Sequence, residues 1–502
     1  MRGIKLAKNA MASLLYQVTT IICGFVLPRW ILGGYGSEVN GLVNSISQFL
    51  GIMAFLELGI GAVIMSSLYQ PLAEKDSQGI SQIVSSANKF FRRLAFILLI
   101  YIFILFFSYP YITNQSYDII YTGTLIVVMS ISSFAQYYFG IVDQLLLSAD
   151  QRSYVYLIIQ TMTVVLNTVA CVFLISIGCS IHIVKLVTSG IFLLRPFFMR
   201  YYVNRHYEIN RCAVYEQEPI QQKWNGLGQH IAIIVVNSSG TVILSILSSL
   251  AAVSVYSIYH LVVSGVEKIV LTFTTGFPSA MGELWAKRDE KRLIYFFDWT
   301  EWILHTGTVF VFGCAGMLIV PFVQVYTAGI NDANYIQPLF AIIYVVAISG
   351  HCLRQPYHMM ILAAGHYRQT QHCYIITAAI NVLVSIATVR KFGLVGISVG
   401  TLLSVIYQTV WMAWYNAQNL VERPFKNFAK QILADVMTVI VASIVSSVFQ
   451  LAEINYIAWI FLAVQVALTW LAVIIIVNFM FYRDKLMQLV QGAKQVAFKV
   501  RK

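Results

Sequence analysis

Long apolar runs recur along the chain, and each is about as long as a bilayer is thick. A helix needs about 20 apolar residues to cross the hydrocarbon core. The runs are continuous rather than short and alternating, which excludes a transmembrane β-barrel. We therefore predict an all-α polytopic membrane protein of about fourteen spans, near residues 12–33, 40–66, 93–112, 118–148, 154–177, 181–203, 227–250, 254–282, 300–325, 335–363, 372–389, 393–417, 430–450 and 455–481.

The composition supports this class. Of 502 residues, 59% are hydrophobic and only 11% are charged, against about 25% charged in soluble proteins. The net charge of +12 does not require a nucleic-acid partner, because basic residues also orient membrane proteins. The seven cysteines have no metal-ligand spacing. We predict neither a nucleic-acid partner nor a bound metal or cofactor.

Lysine and arginine alternate between the loops. Basic residues precede the first span and fill the second, fourth, sixth, eighth, tenth and twelfth loops and the C-terminal tail. The odd-numbered loops carry almost none, with Arg390 and Lys391 as the exceptions. By the positive-inside rule, both termini are predicted to be cytoplasmic.

Two basic cytoplasmic segments have apolar residues at helical spacing. They are residues 78–94 and the tail at 483–502. This pattern is typical of interfacial helices on an anionic leaflet, although a solvated connector remains an alternative.

An internal repeat divides the chain. Ala73-Glu74-Lys75-Asp76 recurs as Ala286-Lys287-Arg288-Asp289, and LLLSADQRSY at 145–154 recurs as MILAAGHYRQ at 360–369, with offsets of 213 and 215. We predict two pseudo-symmetric six-helix lobes that share an orientation. The predicted regions are an N-lobe at 1–210, a cytoplasmic linker at 211–226, a C-lobe at 227–420, two extra helices at 421–482 and a basic amphipathic tail at 483–502.

Charged residues inside the apolar runs are the candidate functional residues, because an ionised group costs about 2.5–3.5 kcal/mol at the bilayer centre. Glu57 lies in the middle of the glycine-rich run 51–69. It is a candidate for substrate binding, coupling or gating, with a neutral packing role as the alternative. The other candidates are Arg29, Asp143, Lys185, Arg195, Glu267, Lys268 and Arg354.

Each of these candidates has an alternative structural role. Glu267 and Lys268 leave their helix about 100° apart, and either is also suited to an inter-helix ion pair. Arg29 and Arg195 are nearer span ends, where snorkelling is expected. Asp143 is a possible gate or cap. Arg354 precedes Gln355-Pro356, where a broken helix would expose backbone groups.

Three motifs resemble polysaccharide exporters. They are RWILGGYGSEVNG at 29–41, the acidic Leu56-Glu57-Leu58-Gly59-Ile60, and the basic-aromatic segment from Arg195-Pro196 to Tyr207. Together they resemble Wzx-like oligosaccharide flippases of the multidrug/oligosaccharidyl-lipid/polysaccharide exporter superfamily. The resemblance implies a transporter of the bacterial inner membrane, not an enzyme. Its implied task is to flip undecaprenyl-diphosphate-linked oligosaccharide to the outer leaflet for capsule, O-antigen or a similar polymer.

For such a substrate, the charged residues of the spans supply the candidates. The predicted substrate-binding residues are Arg29, Glu57, Lys185, Arg195, Lys268 and Arg354, and the predicted coupling or gating residues are Glu57, Asp143 and Glu267. Lipid-linked oligosaccharide and membrane lipids are the expected partners, and a polymerase and glycosyltransferases are further ones implied by the pathway. Proton coupling, sodium coupling and drive from the membrane potential all remain open. Lipid II-type flipping and drug or cation antiport are the alternatives within the superfamily.

A membrane polysaccharide polymerase or glycosyltransferase is the competing class. Such an enzyme is expected to carry a large extramembrane loop or a dense catalytic motif, and the sequence has no HExxH, DxD or phosphate-binding glycine loop. His351, His358, His366 and His372 are spaced by seven, eight and six residues, which is not a compact metal pair. We interpret these histidines as satisfied or interfacial.

Overall fold

The protein is an all-α polytopic membrane protein. The computed structural model describes residues 2–53, 60–113, 117–215, 218–220, 227–274, 276–489 and 491. Within these residues, twelve helices are long and apolar enough to cross a membrane. Two further predicted spans fall outside this count. The second predicted span is divided between a helix that ends at Gly51 and the helix Ile60–Glu74. The seventh predicted span corresponds to a shorter apolar helix, Ala232–Leu247.

Backbone contacts divide the chain into two compact units, with the boundary between Ser254 and Val255. The helices of the first unit are α1 (Arg2–Gly51), α2 (Ile60–Glu74), α3 (Ser77–Ile112), α4 (Ile119–Ala135), α5 (Ile141–Ala149), α6 (Ser153–Ser176), α7 (Ile181–His206) and α8 (Leu227–Leu247). A π-helical segment, Gln136–Gly140, joins α4 to α5. The boundary falls within α9 (Leu250–Thr272).

The helices that follow belong to the second unit. They are α10 (Phe277–Ala286), α11 (Glu290–Tyr326), α12 (Pro338–Leu353), α13 (Gln355–Ala363), α14 (Tyr367–Phe392), α15 (Leu394–Asn419), α16 (Lys426–Ser446) and α17 (Tyr456–Phe481). Here α16 and α17 are the two predicted extra helices, and both pack against α11.

Glycine permits the turn between the first two predicted spans. The long helix α1 is kinked at Gly36, whose φ of 81° and ψ of 177° are not helical. A side chain is disfavoured in this conformation. Beyond the kink, Gly41 packs against the backbone of Leu250, and an added Cβ would lie 1.9 Å from its carbonyl oxygen. A side chain would therefore strain the backbone at Gly36 and would clash with the backbone of Leu250 at Gly41.

Left-handed backbone positions recur at the repeat offset. The pairs are Lys75 and Arg288 (φ 57° and 53°), Gln151 and Gly365 (57° and 73°), and Gly178 and Gly393 (77° and 54°). Each pair ends equivalent helices. Asp76 and Asp289 then cap α3 and α11, accepting hydrogen bonds from the backbone of Gln78 and Arg292. The same turn chemistry thus occurs in both parts of the chain, at the spacing of the predicted repeat.

Residues 78–94 do not form a surface helix, and that interpretation is wrong. They are the first turns of α3, which continues without a break into the third span. The apolar face, including Ile83, Val84 and Phe91, is buried against residues of α2 and α5. The apolar spacing of this segment therefore reflects core packing. For the tail, the structure describes a helix only at 483–489 and residue 491.

A charged network lies within the second unit, where the start of α16 meets α11 and α13. Arg423, just before α16, pairs with Asp298 and Glu301 of α11, and Tyr357 of α13 donates to Glu301. Lys485 donates to the backbone oxygen of Asp298 at 2.9 Å, and burial lowers the pKa of its ammonium. Deeper along α11 and α16, His305 Nδ1 lies 2.6 Å from Asp435 Oδ2. These contacts connect α11, α13 and α16.

Candidate functional site

The tenth predicted span is interrupted at one residue, whose backbone stays helical (φ −73°, ψ −19°) and hydrogen-bonded. Helix α12 ends at Leu353 and α13 begins at Gln355, with Arg354 between them. Pro356 occupies the first turn of α13, where a missing N–H is tolerated. The sequence analysis predicted an interruption of the helix near this proline. The structure places the interruption at Arg354, two residues earlier.

Arg354 is a buried cation without a close counter-ion. It is 7% exposed, and its Nε has no hydrogen-bond partner. Glu267 is within Coulombic range, but no carboxylate among the described residues forms an ion pair with Arg354. An isolated buried charge is costly unless it is paired. A guanidinium with unused donors is suited to an anionic ligand.

Imidazole and phenol groups surround this junction. The Nδ1 of His351 lies 2.5 Å from Oε1 of Glu267, which joins α12 to α9. On the other side of the break, the Nδ1 of His358 lies 2.6 Å from the hydroxyl of Tyr374 on α14. Arg354 interacts electrostatically with both histidines. The cluster therefore combines one cation, one carboxylate and groups that can both donate and accept hydrogen bonds.

A second set of polar groups extends the cluster along α9. The Nδ1 of His260 lies 2.7 Å from the hydroxyl of Tyr344, which lies 3.3 Å from the hydroxyl of Tyr256. Tyr256 and Tyr344 are buried, while His260 is half-buried. Aromatic rings with hydrogen-bonding tips can bind sugars by stacking and by polar contacts.

In the first unit, cations lie along α7. Arg195 is in the middle of this helix, deeper than the span end predicted for it. Its Nε donates to Thr163 Oγ1 on α6 at 2.7 Å, and its guanidinium packs 3.9 Å from the ring centroid of Phe192. The first contact joins Arg195 to α6, whereas Phe192 lies on α7 itself. Lys185, near the start of α7, is half-buried and makes no hydrogen bond or ion pair with the residues described.

Polar side chains lie between these two cations. Cys171 of α6 contacts Thr188 of α7 at 3.2 Å and Asn167 at 3.3 Å. On α1, Arg29 is half-buried, and its side chain extends toward Gly33, one helical turn later. A Cβ added at Gly33 would lie 3.5 Å from Nη1 of Arg29. The first unit thus offers several hydrogen-bonding groups and an excess of positive charge in its described spans.

The remaining predicted residues have different surroundings. Asp143 is fully buried at the start of α5, and its Oδ1 pairs with Arg211 Nη2 at 2.8 Å. Lys268 is exposed, whereas the neighbouring Glu267 is half-buried and pairs with His351. Glu57 lies outside the described residues. The structure therefore brings Glu267 and Arg354 into one cluster. Lys268 makes no hydrogen bond to the described residues of that cluster.

Sequence analysis missed the histidines as part of a site. His351 and His358 are seven residues apart, which is close to two helical turns, and Arg354-Gln355-Pro356 lies between them. This spacing places His351, Arg354 and His358 near one face of a helix, so the sequence could have predicted a polar face there. His260 and Tyr374 lie on other helices, and only the tertiary structure brings them near. No group of three metal-ligating side chains was found in the part of the chain that is described.

No protein-family profile matches the sequence, and no curated protein does. Solved structures do match the fold. The lipid II flippase MurJ in an inward closed conformation has a TM-score of 0.71 at 13% identity, covering 95% of this chain and 99% of that one. The eukaryotic MATE transporter AtDTX14 has a TM-score of 0.59 at 11% identity, covering 87% and 99%.

An inward-facing multidrug resistance MATE family transporter of the MOP superfamily has a TM-score of 0.57 at 15% identity, covering 80% of this chain and 95% of that one. These identities are low, so the likeness concerns the fold. The chain thus has the fold of the lipid II flippase MurJ and of these MATE transporters, which is the fold that the motif resemblance implied.

Proposed function

We propose that this protein flips an undecaprenyl-diphosphate-linked oligosaccharide from the cytoplasmic to the outer leaflet, by alternating access and without enzymatic chemistry. The observation that carries the proposal is the buried, unpaired guanidinium of Arg354 beside imidazole and phenol groups. A diphosphate requires cations, and a sugar requires groups that donate, accept and stack. The lipid tail can remain in the bilayer.

The proposed substrate-binding residues are Arg29, Glu57, Lys185, Arg195, Lys268 and Arg354. Support is strongest for Arg354 and Arg195, whose guanidinium groups are placed within the membrane-spanning helices. Glu57, Asp143 and Glu267 are proposed for coupling or gating. The contact of Glu267 with His351 provides a group that can change protonation, although sodium coupling remains equally open.

Two other substrates follow from specific observations. A lipid II-type precursor carries the same diphosphate and polyprenyl groups, and the lipid II flippase MurJ has a similar fold. A cationic drug would instead bind Glu267 and the nearby rings of Tyr256 and His260, which stack at 5.8 Å. The unpaired cations favour an anionic substrate over the drug.

Genetic complementation separates these substrates. We expect the protein to restore surface polysaccharide in a bacterium that lacks its own oligosaccharide flippase, without restoring growth to cells depleted of their lipid II flippase. Rescue of the second strain alone would assign the lipid II-type substrate. Increased resistance to cationic drugs with no polysaccharide in either strain would contradict the proposal.

We further propose that the protein lies in the bacterial inner membrane with both termini cytoplasmic, on the strength of the loop charges. Cys212 is exposed in the segment after α7, and Ser180 is exposed at the opposite end of that helix. In a variant whose only cysteine is Cys212, an impermeant thiol reagent should react only after permeabilisation.

The matched control carries Ser180→Cys as its only cysteine, and we expect it to react on intact cells. Reaction of Cys212 on intact cells, together with protection of the Ser180→Cys site, would reverse the orientation.

A further inference from the structure

Three arginines and one buried carboxylate lie near the end of α7. Arg211 pairs with Asp143, and Arg200 interacts electrostatically with both groups and with Arg92. These three guanidinium groups and the one carboxylate carry a net charge of +2 when all four are ionised. This excess is not needed to neutralise Asp143, which Arg211 already does.

Aromatic rings of the π-helical segment hold the two remaining arginines. The guanidinium of Arg92 lies 5.1 Å from the ring centroid of Tyr138, and that of Arg200 lies 6.0 Å from the centroid of Phe139. Neither arginine donates a hydrogen bond to another residue in the described ranges. Both arginines thus lie beside aromatic rings while their donors remain available; Arg92 is exposed and Arg200 is half-buried. π-Helical segments often occur at functional sites.

An apolar groove of about 650 Å³ includes Phe139, the ring that lies beside Arg200. It runs between α3, α4 and α7 and is lined by Leu99, Phe103, Val127, Phe139 and Phe197. Phe139 and Phe197 stack at 6.0 Å at the end nearest Arg200. Leu99, Phe103, Val127 and Phe197 are exposed on the surface of the unit, where exposed apolar side chains of a membrane protein contact lipid.

The length of the groove identifies the kind of chain that fits it. Val127 and Phe139 are twelve residues apart, which corresponds to about 18 Å along a helix. One leaflet of a bilayer contributes about 15 Å of hydrocarbon, half of the core thickness. The groove therefore matches one acyl chain, whereas an undecaprenyl chain would extend far beyond it.

We propose that Arg92, Arg200 and this groove form a binding site for an anionic phospholipid of the phosphatidylglycerol type. The phosphodiester lies between the two guanidinium groups, and one acyl chain occupies the groove. The site is separate from the proposed substrate-binding residues, and the proposal does not depend on what the protein transports.

Native mass spectrometry of the purified, delipidated protein tests this site. Phosphatidylglycerol and phosphatidylethanolamine with identical chains would be added in turn, and undecaprenyl phosphate would be added as a competitor. We expect one phosphatidylglycerol to be retained in preference to phosphatidylethanolamine. In the Arg92→Gln/Arg200→Gln variant this preference should fall at least fivefold. The matched control, Arg93→Gln, removes an exposed arginine next to Arg92 and should keep the preference.

A second variant tests the groove without changing the arginines. Leu99→Trp places a larger side chain at the groove and should lower retention of phosphatidylglycerol. Equal retention of the two phospholipids by the parent protein would overturn the proposal. So would an unchanged preference in the double arginine variant, unchanged retention in Leu99→Trp, or preferential displacement by undecaprenyl phosphate. Flipping activity is not measured, so failure here is distinct from failure of the proposed function.

Discussion

Arg354→Gln should abolish most transport while leaving the protein folded. A hydrogen bond to a charged group contributes about 1.5–3 kcal/mol, so loss of one charged contact should weaken binding of a diphosphate by roughly 10- to 100-fold. Arg354 is buried and has no ion pair with the described residues. Removing such a charge from the interior should not lower stability and can raise it.

The measurement pairs a binding titration with thermal unfolding in detergent. Undecaprenyl diphosphate is the probe, and Arg390→Gln is the control because it removes an exposed arginine at the end of α14. Arg354→Lys should retain part of the binding, since charge survives while the planar pair of donors does not. Normal binding by Arg354→Gln, or a large fall in its melting temperature, would indicate a structural role instead.

Arg423→Met should destabilise the second unit by about 3–5 kcal/mol, the usual cost of breaking a buried ion pair by removing one partner. Glu301 is 4% exposed and Arg423 is 8% exposed. Without Arg423, the Glu301 carboxylate retains only the hydroxyl of Tyr357 among the hydrogen bonds found for it. The change should be seen as a lower melting temperature and as earlier loss of α16 and α17 contacts.

The double variant Arg423→Met/Glu301→Leu distinguishes a lost charge pair from lost packing. Because an apolar pair can replace a buried ion pair at little cost, we expect the double variant to recover much of the stability. Arg390→Met is again the control for loss of an exposed arginine. A double variant as unstable as Arg423→Met would show that packing around the arginine, including its contact with the ring of Phe297, dominates.

The spans could be predicted because membrane insertion imposes a local requirement, a run of apolar residues of fixed length. The interruption at Arg354 was also local, since Pro356 follows two residues later and a proline favours the start of a helix. Residues 78–94 were misinterpreted for a physical reason. An apolar stripe at helical spacing has the same pattern whether it faces lipid or a protein core.

The candidate site was only partly predictable. Glu267 and Arg354 were identified because each is a charged residue in an apolar run. A charged side chain within a membrane span costs free energy and is therefore a candidate functional residue. The pairing of His351 with Glu267, across 84 residues, depends on how α9 and α12 pack. The same holds for Arg423, whose partner Glu301 lies 122 residues earlier. The residues next to these side chains in sequence do not indicate such contacts. The role of Glu57 stays a prediction.

Flipping in reconstituted vesicles tests the central claim most directly. The substrate would be a fluorescent undecaprenyl-diphosphate oligosaccharide, and a membrane-impermeant quencher would report the fraction in the outer leaflet. We predict that the protein makes the protected inner-leaflet fraction accessible with time, and that Arg354→Gln vesicles behave like protein-free ones. If vesicles containing the folded parent protein protect that fraction as well as empty vesicles do, the account is contradicted.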